Sequence, residues 1–334
     1  MHKLEITLKQ HTPLIHFQHD QNGATLRASE VKPKLDRFIL TKLGDGNYEQ
    51  GSKIAKDNGW LIGKGEHPAL DYKMRIECEK PIKVALPLIE VKKKGVVQKD
   101  ELGRILFTTQ NYPDNMNSLI MSNMGGRIKE NVFNFVLFNN IKIIIIYKND
   151  LLIDNIKKLI FTFFIENGFG NRISKGFDSF TVNTINGEKC REKASAIGIL
   201  SFSINAETSE IINLCKAYED IFVVINKVWK GLKQYGNSSR DGLKSVFLRR
   251  PNQLTGREDR IPSPLIFKPI IKNKQCNNKW EVLILAQLNK NVICKAGANV
   301  KDFLKLINNA IKNANSKEEE EYKNNYVISN IKII

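Results

Sequence analysis

Apolar and polar residues alternate from the start of the chain. Leu4, Ile6 and Leu8 share one side of Lys3 to Lys9, which predicts a half-buried strand. A polar loop, Gln10 to about Arg27, follows and carries His11, His16 and His19. Val31, Leu35, Phe38 and Ile39 then fall on one helical face between Ala28 and Leu40. Ser29 is the predicted N-cap, and Pro33 is expected near the first turn, where its missing N–H costs little. Gly44 to Gly65 carries six glycines and reads as irregular loop. Tyr72, Met74, Ile76 and Cys78 alternate along a strand from Asp71 to Glu79. Residues 80–130 read as an insertion of short pieces. From Asn131 to Tyr147 two β-rich runs flank Asn139-Asn140, a predicted hairpin turn. Asp150 to Asn167 returns to helical spacing through Leu152, Ile153, Ile156, Leu159, Ile160 and Phe163, with Gly168 as the stop. A glycine-punctuated basic loop, Gly168 to Phe177, leads into a strand from Ser179 to Thr184.

The pattern then restarts. Strands are predicted at Ile197–Asn205, Ser245–Leu248, Leu265–Ile271, Trp280–Leu288 and Tyr326–Ile334, and helices at Glu210–Tyr235 and Val300–Asn313. Each half reads as strand–helix–strand twice over. The expected fold class is therefore α+β, with two ferredoxin-like (split βαβ) domains, helices on one face of an antiparallel sheet. The polar stretch Glu188 to Ala196 separates them into residues 1–190, with the insertion near 80–130, and residues 191–334.

Composition narrows the class. The chain has 334 residues, of which 42% are hydrophobic, so it can bury real cores and wholesale disorder is excluded. It opens on a strand pattern instead of a basic stretch and apolar signal core. Its longest apolar stretch, Ile141 to Tyr147, is interrupted by Lys142 and falls far short of the roughly 20 residues of a spanning helix. No membrane partner and a cytoplasmic location are expected. The five cysteines are scattered, none at CxxC spacing, and read as thiols in a reducing compartment; no metal and no cofactor are expected. Lys plus Arg total 52 against 35 acidic residues, a net charge of +17, which favours a polyanionic partner. Lysine abundance is partly a matter of base composition; the placement of the arginines is more telling.

Three places could carry chemistry. His11, His16 and His19 could act as metal ligands or as an acid/base pair cleaving RNA through its 2′-hydroxyl, or they could be ordinary loop residues. In the loop Gly168-Phe169-Gly170-Asn171-Arg172-Ile173-Ser174-Lys175-Gly176-Phe177, glycines would let the backbone approach a phosphate. Arg172 and Lys175 supply charge, and Phe169, Phe177 and Phe180 offer stacking or packing faces. A helix precedes this loop and a strand follows it, unlike a dinucleotide fingerprint, and no Gly-Lys-Ser/Thr closes it; the alternative is an ordinary helix-to-strand connection. The third place is a basic cluster holding Arg240, Lys244, Arg249, Arg250, Arg257, Arg260, Lys268, Lys272 and Lys274, suited to phosphate contacts or else simply a solvated basic loop.

These residues resemble the RAMP superfamily, the repeat-associated proteins of CRISPR RNA-guided complexes. The first strand leading to Thr12-Pro13-Leu14, and then Leu26 to Phe38, are similar to the family's first strand, its exit and its first helix. The loop from Gly168 to Ser179 resembles the family's G-x-G-x-R…G-[FY]-G-S loop, with Asp178 in place of the last glycine. Arg260-Ile261-Pro262-Ser263-Pro264-Leu265 looks like a segment of the first Cmr subunit of type III-B complexes.

The resemblance implies a non-catalytic, RNA-binding subunit of a type III-B effector in antiviral defence. Such a subunit would hold the 3′ region of guide RNA together with target RNA, next to other RAMP subunits. The expected RNA contacts are Arg27, Lys32, Lys34 and Arg37 on the first helix; Gly168, Gly170, Arg172, Lys175 and Gly176 in the loop; and Arg249, Arg250, Arg257 and Arg260 beyond. The alternative is a RAMP endoribonuclease that processes CRISPR precursor RNA through His11, His16 or His19. A third reading is a structural subunit whose basic face meets an acidic protein.

Overall fold

The computed structural model describes residues 2–14, 25–63, 68–90, 92–93, 95–97, 99, 107–109, 132–170, 173, 176–191, 200–206, 265–271, 279–286 and 326–333. In chain order the first half runs β1 (His2–Gln10), α1 (Ala28–Leu43), α2 (Tyr48–Asp57), β2 (Leu61–Ile62), β3 (Ala69–Leu70), β4 (Tyr72–Glu90), β5 (Lys92–Lys93), β6 (Val96–Val97), β7 (Phe107–Thr109), β8 (Val132–Tyr147), α3 (Asp150–Glu166), β9 (Phe180–Ile185) and β10 (Glu188–Lys189). The second half contributes β11 (Leu200–Ala206), β12 (Leu265–Ile271), β13 (Lys279–Ala286) and β14 (Tyr326–Ile333). The predicted helices at 210–235 and 300–313 and the strand at 245–248 lie outside the described residues.

Alternation in β1 sets the core. Leu4, Ile6 and Leu8 pair across from Ile145, Ile143 and Ile141 of β8, and all six are at most 2% exposed. Against this side pack Val31, Leu35 and Ile39 of α1 and Ile156, Ile160, Phe163 and Phe164 of α3, all fully buried. Each such side chain withdrawn from water stabilises the fold by about 1.5–3 kcal/mol. The other side of the sheet carries charge, including the Lys3–Glu5–Lys142 ion-pair chain and the Arg75–Glu77 pair.

The main sheet has six strands in the order β10-β9-β1-β8-β4-β7, and the second has four in the order β12-β13-β11-β14. Every pairing in both is antiparallel. Call the four principal strands of each half first to fourth along the chain. Both sheets then place them fourth, first, third, second: β9-β1-β8-β4 in one, β14-β11-β13-β12 in the other.

Four local expectations are corrected. Asn139-Asn140 is no hairpin turn: β8 passes straight through it, because β4 supplies a continuous antiparallel partner from Tyr72 to Pro87. The ladder absorbs the irregularity opposite, where Lys80 adopts a left-handed φ of 54°. The strand expected to end at Glu79 likewise continues to Glu90, into the supposed insertion. The glycine-rich stretch 44–65 contains a ten-residue helix, α2, capped by Asn47, whose side chain accepts the N–H groups of Glu49 and Gln50. Finally, α1 begins at Ala28, one residue before the expected Ser29 cap, with the Arg27 carbonyl accepting from Glu30 and Val31. Pro33 therefore sits inside the helix, past its first turn.

Candidate nucleic-acid interface

Helix α1 and the glycine loop meet although they lie far apart in sequence. The Glu30 carboxylate accepts the Gly170 N–H at 3.0 Å, a contact between residues 140 apart. One helical turn on, Lys34 Nζ donates to the Gly168 carbonyl at 2.9 Å, pairs with Glu30 at 3.3 Å, and lies 5.0 Å from the Phe169 ring centroid. The far end of the loop is joined to the chain leaving β1. Thr12 Oγ1 donates to the Gly176 carbonyl at 2.8 Å and accepts the Ser179 N–H at 2.9 Å, and Asp178 N–H donates to the Pro13 carbonyl at 3.0 Å.

The glycines earn their places locally. Gly170 (φ 80°) and Gly176 (φ 88°) are in the left-handed region, which side chains disfavour. A Cβ on Gly168 would sit 2.5 Å from the Ile173 side chain. Asp178, standing where the family pattern has glycine, adopts the same left-handed conformation (φ 67°). It is buried, and its carboxylate accepts the Phe169 N–H. Burial pushes the Asp178 carboxyl up from its usual range, against the pull of the nearby Lys268 ammonium.

The structure sorts the α1 cations. Arg27 and Arg37 are exposed. Lys32 and Lys34 are committed to internal partners: Lys32 Nζ pairs with buried Asp36 at 2.7 Å, donates to the Leu70 carbonyl at 3.1 Å and lies over the Tyr72 ring. Asp36 also accepts the Tyr72 hydroxyl at 2.5 Å, and burial next to that carboxylate drives the phenol well above its ordinary value. Arg37 and Lys32 line a groove of about 940 Å³ with Pro33, Tyr48, Ile62 and Pro68. Arg172, Lys175, Arg249, Arg250, Arg257 and Arg260, like His16 and His19, lie outside the described residues.

Several expectations change. Phe169, Phe177 and Phe180 are at most 1% exposed, so of the two roles open to them they serve as packing, with Phe169 set edge-on to Phe163 at 5.8 Å. Lys268, counted with the basic cluster suited to phosphate contacts, is fully buried and is no surface phosphate contact. His11 is 1% exposed with both ring nitrogens engaged. Its Nδ1 accepts the Ile271 N–H at 3.1 Å, so Nε2 carries the proton towards Thr181 Oγ1 at 2.8 Å. Glu30 and Lys268 were not singled out from sequence for what they do; a carboxylate two residues into a basic helix is the only local sign of the first. Among the described residues no group of three or more His, Cys, Asp or Glu could hold a metal, and no helix is long and apolar enough to cross a membrane.

Comparison with known proteins places the chain. Residues 1–235, more than two thirds of its 334, match the Cmr1 N-terminal domain family. No curated protein matches the sequence. Among solved structures, the chain is similar to Cmr1 from Pyrococcus furiosus (apo form) at 10% identity and a TM-score of 0.42, covering 86% of this chain and 90% of that one. It is also similar to a chain in the cryo-EM structure of the Type III-B Cmr-beta bound to cognate target RNA, at 11% identity and a TM-score of 0.34. That match covers 55% of this chain and spans 59% of the other.

Proposed function

The chain belongs to the Cmr1 N-terminal domain family, and from that premise we propose that it is a non-catalytic RNA-binding subunit of a type III-B CRISPR effector. It would work in the cytoplasm in antiviral defence, holding the 3′ region of guide RNA and target RNA beside other RAMP subunits. Guide–target pairing reads the sequence in such a complex, while the protein grips the backbone through charge and shape.

The observation that carries this reading is the junction of α1 with the glycine loop through Glu30–Gly170 and Lys34–Gly168. It gathers into one region the loop to which Arg172 and Lys175 belong and the helix that presents Arg27 and Arg37. We assign the RNA contacts to those four cations, to the backbone of Gly168, Gly170 and Gly176, and to Arg249, Arg250, Arg257 and Arg260. Lys32 and Lys34 act by shaping the helix and loop. The repeated strand order supports two ferredoxin-like domains, residues 1–190 and 191–334. The processing-ribonuclease reading is less well supported, since His11 is buried and hydrogen-bonded at both nitrogens.

Charge reversal at Arg172 and Lys175 tests the assignment. Removing phosphate contacts lowers affinity for single-stranded RNA and flattens the dependence of log affinity on log salt by about 0.7 per contact. Wild-type affinity with a wild-type salt slope in both variants would sink it.

A further inference from the structure

Lys268 lies on β12, the edge strand of the second sheet, between Ile266 and Ile270 on one side of that strand. Both isoleucines belong to the apolar core of the first half. The lysine is fully buried among them. Its ammonium donates to the Asn167 carbonyl at 3.0 Å and to the Asp178 carbonyl at 2.9 Å. Those two carbonyls belong to the residues at either end of the glycine loop: Asn167 closes α3, and Asp178 precedes β9. One cation from the second half thus ties together both ends of a loop in the first. Asp178 is itself fully buried, and one of its carboxyl oxygens has no hydrogen-bond partner.

We propose that Lys268 is the positioning residue that ties the two ends of the glycine loop, so that Gly168, Gly170 and Gly176 hold their RNA-binding positions only while β12 of the second half is docked against the first. This rests on the RNA-binding reading above and adds to it a coupling between the halves. A buried ammonium neutralises no phosphate, so its effect on RNA is indirect. The signature of a positioning role is weaker binding with an unaltered salt slope.

The test uses the full chain with Lys268→Met, and with Lys268→Met/Asp178→Asn, which removes both charges and so avoids a lone buried carboxylate. Amide hydrogen exchange at Phe169, Gly170 and Gly176 reads the loop, exchange at Ile6 and Ile160 reads the core, and titration with single-stranded RNA reads function. We expect loop exchange to rise about tenfold or more, core protection to stay as in the wild type, RNA affinity to fall about tenfold, and the salt slope to hold. Where the single variant fails to fold, the double variant decides. Wild-type loop protection, or faster loop exchange with wild-type RNA affinity, overturns the proposal. A changed salt slope overturns it too, by making Lys268 a direct contact. If the wild-type protein binds no RNA, the RNA-binding reading fails instead, while the exchange data still report whether Lys268 closes the loop.

Discussion

At the scale of single residues, burial has changed what charged groups do. From sequence Lys32 and Lys34 read as RNA contacts, Lys268 as part of a basic cluster and Asp178 as a stand-in for glycine, while Glu30 and Asp36 carry no role, yet each is bonded inside the fold. Asp178 makes the sharpest case. Burial raises its folded-state carboxyl value, so the native protein holds a proton that the unfolded chain has released above about pH 4. The unfolded state then binds fewer protons, and the Asp178 contribution to stability falls as pH rises through the folded value. Burial lowers the Lys268 value, and the Asp178 charge opposes that lowering. Asn has no such carboxyl proton to lose, so relative to wild type Asp178→Asn gains stability as pH rises from about 4 through the folded Asp178 value. Urea midpoints across that range check it, and a difference that stays constant with pH would contradict it.

At the scale of elements, close approach overrides composition. Glycines made residues 44–65 look like loop, because glycine lowers helix propensity by about 1 kcal/mol relative to alanine. In α2 that loss is offset by contact: a Cβ on Gly51 would fall 1.7 Å from the Leu40 carbonyl oxygen of α1. Propensity alone predicts that Gly51→Ala stabilises the protein. The crossing of the two helices predicts the reverse, a loss of roughly 1–3 kcal/mol, since the helices must separate. Thermal or urea denaturation gives the sign directly. The long strands β4 and β8 teach the same lesson. Asn139-Asn140 is a good local turn signal, but a ladder from Tyr72 to Pro87 offers more hydrogen bonds than a turn does.

At the scale of the whole molecule, the two halves are joined by β12. Ile266 and Ile270 enter the first half's core, Lys9 Nζ donates to the Ile271 carbonyl at 3.1 Å, and His11 accepts the Ile271 N–H. The halves are therefore expected to unfold together in one transition. Replacing both Ile266 and Ile270 with Ser should split that transition in two, visible by calorimetry as separated peaks; a single peak in the variant would count against the coupling. Much of this architecture was legible in the chain. Period-two and helical spacing located β1, α1, α3, β9, β11, β12, β13 and β14 to within a few residues, because a strand or helix that buries one face must repeat its apolar residues at that element's own period. The glycine loop was legible too, since left-handed positions and close contacts narrow the choice of residue. What sequence could not decide was which charged side chains are partners. Glu30 with Gly170, and Lys268 with Asn167 and Asp178, meet across separations of 140, 101 and 90 residues. A lysine carries no local mark of whether it will be solvated or buried: that is settled by which distant carbonyls the packed sheets bring to its ammonium, and so by the tertiary structure alone.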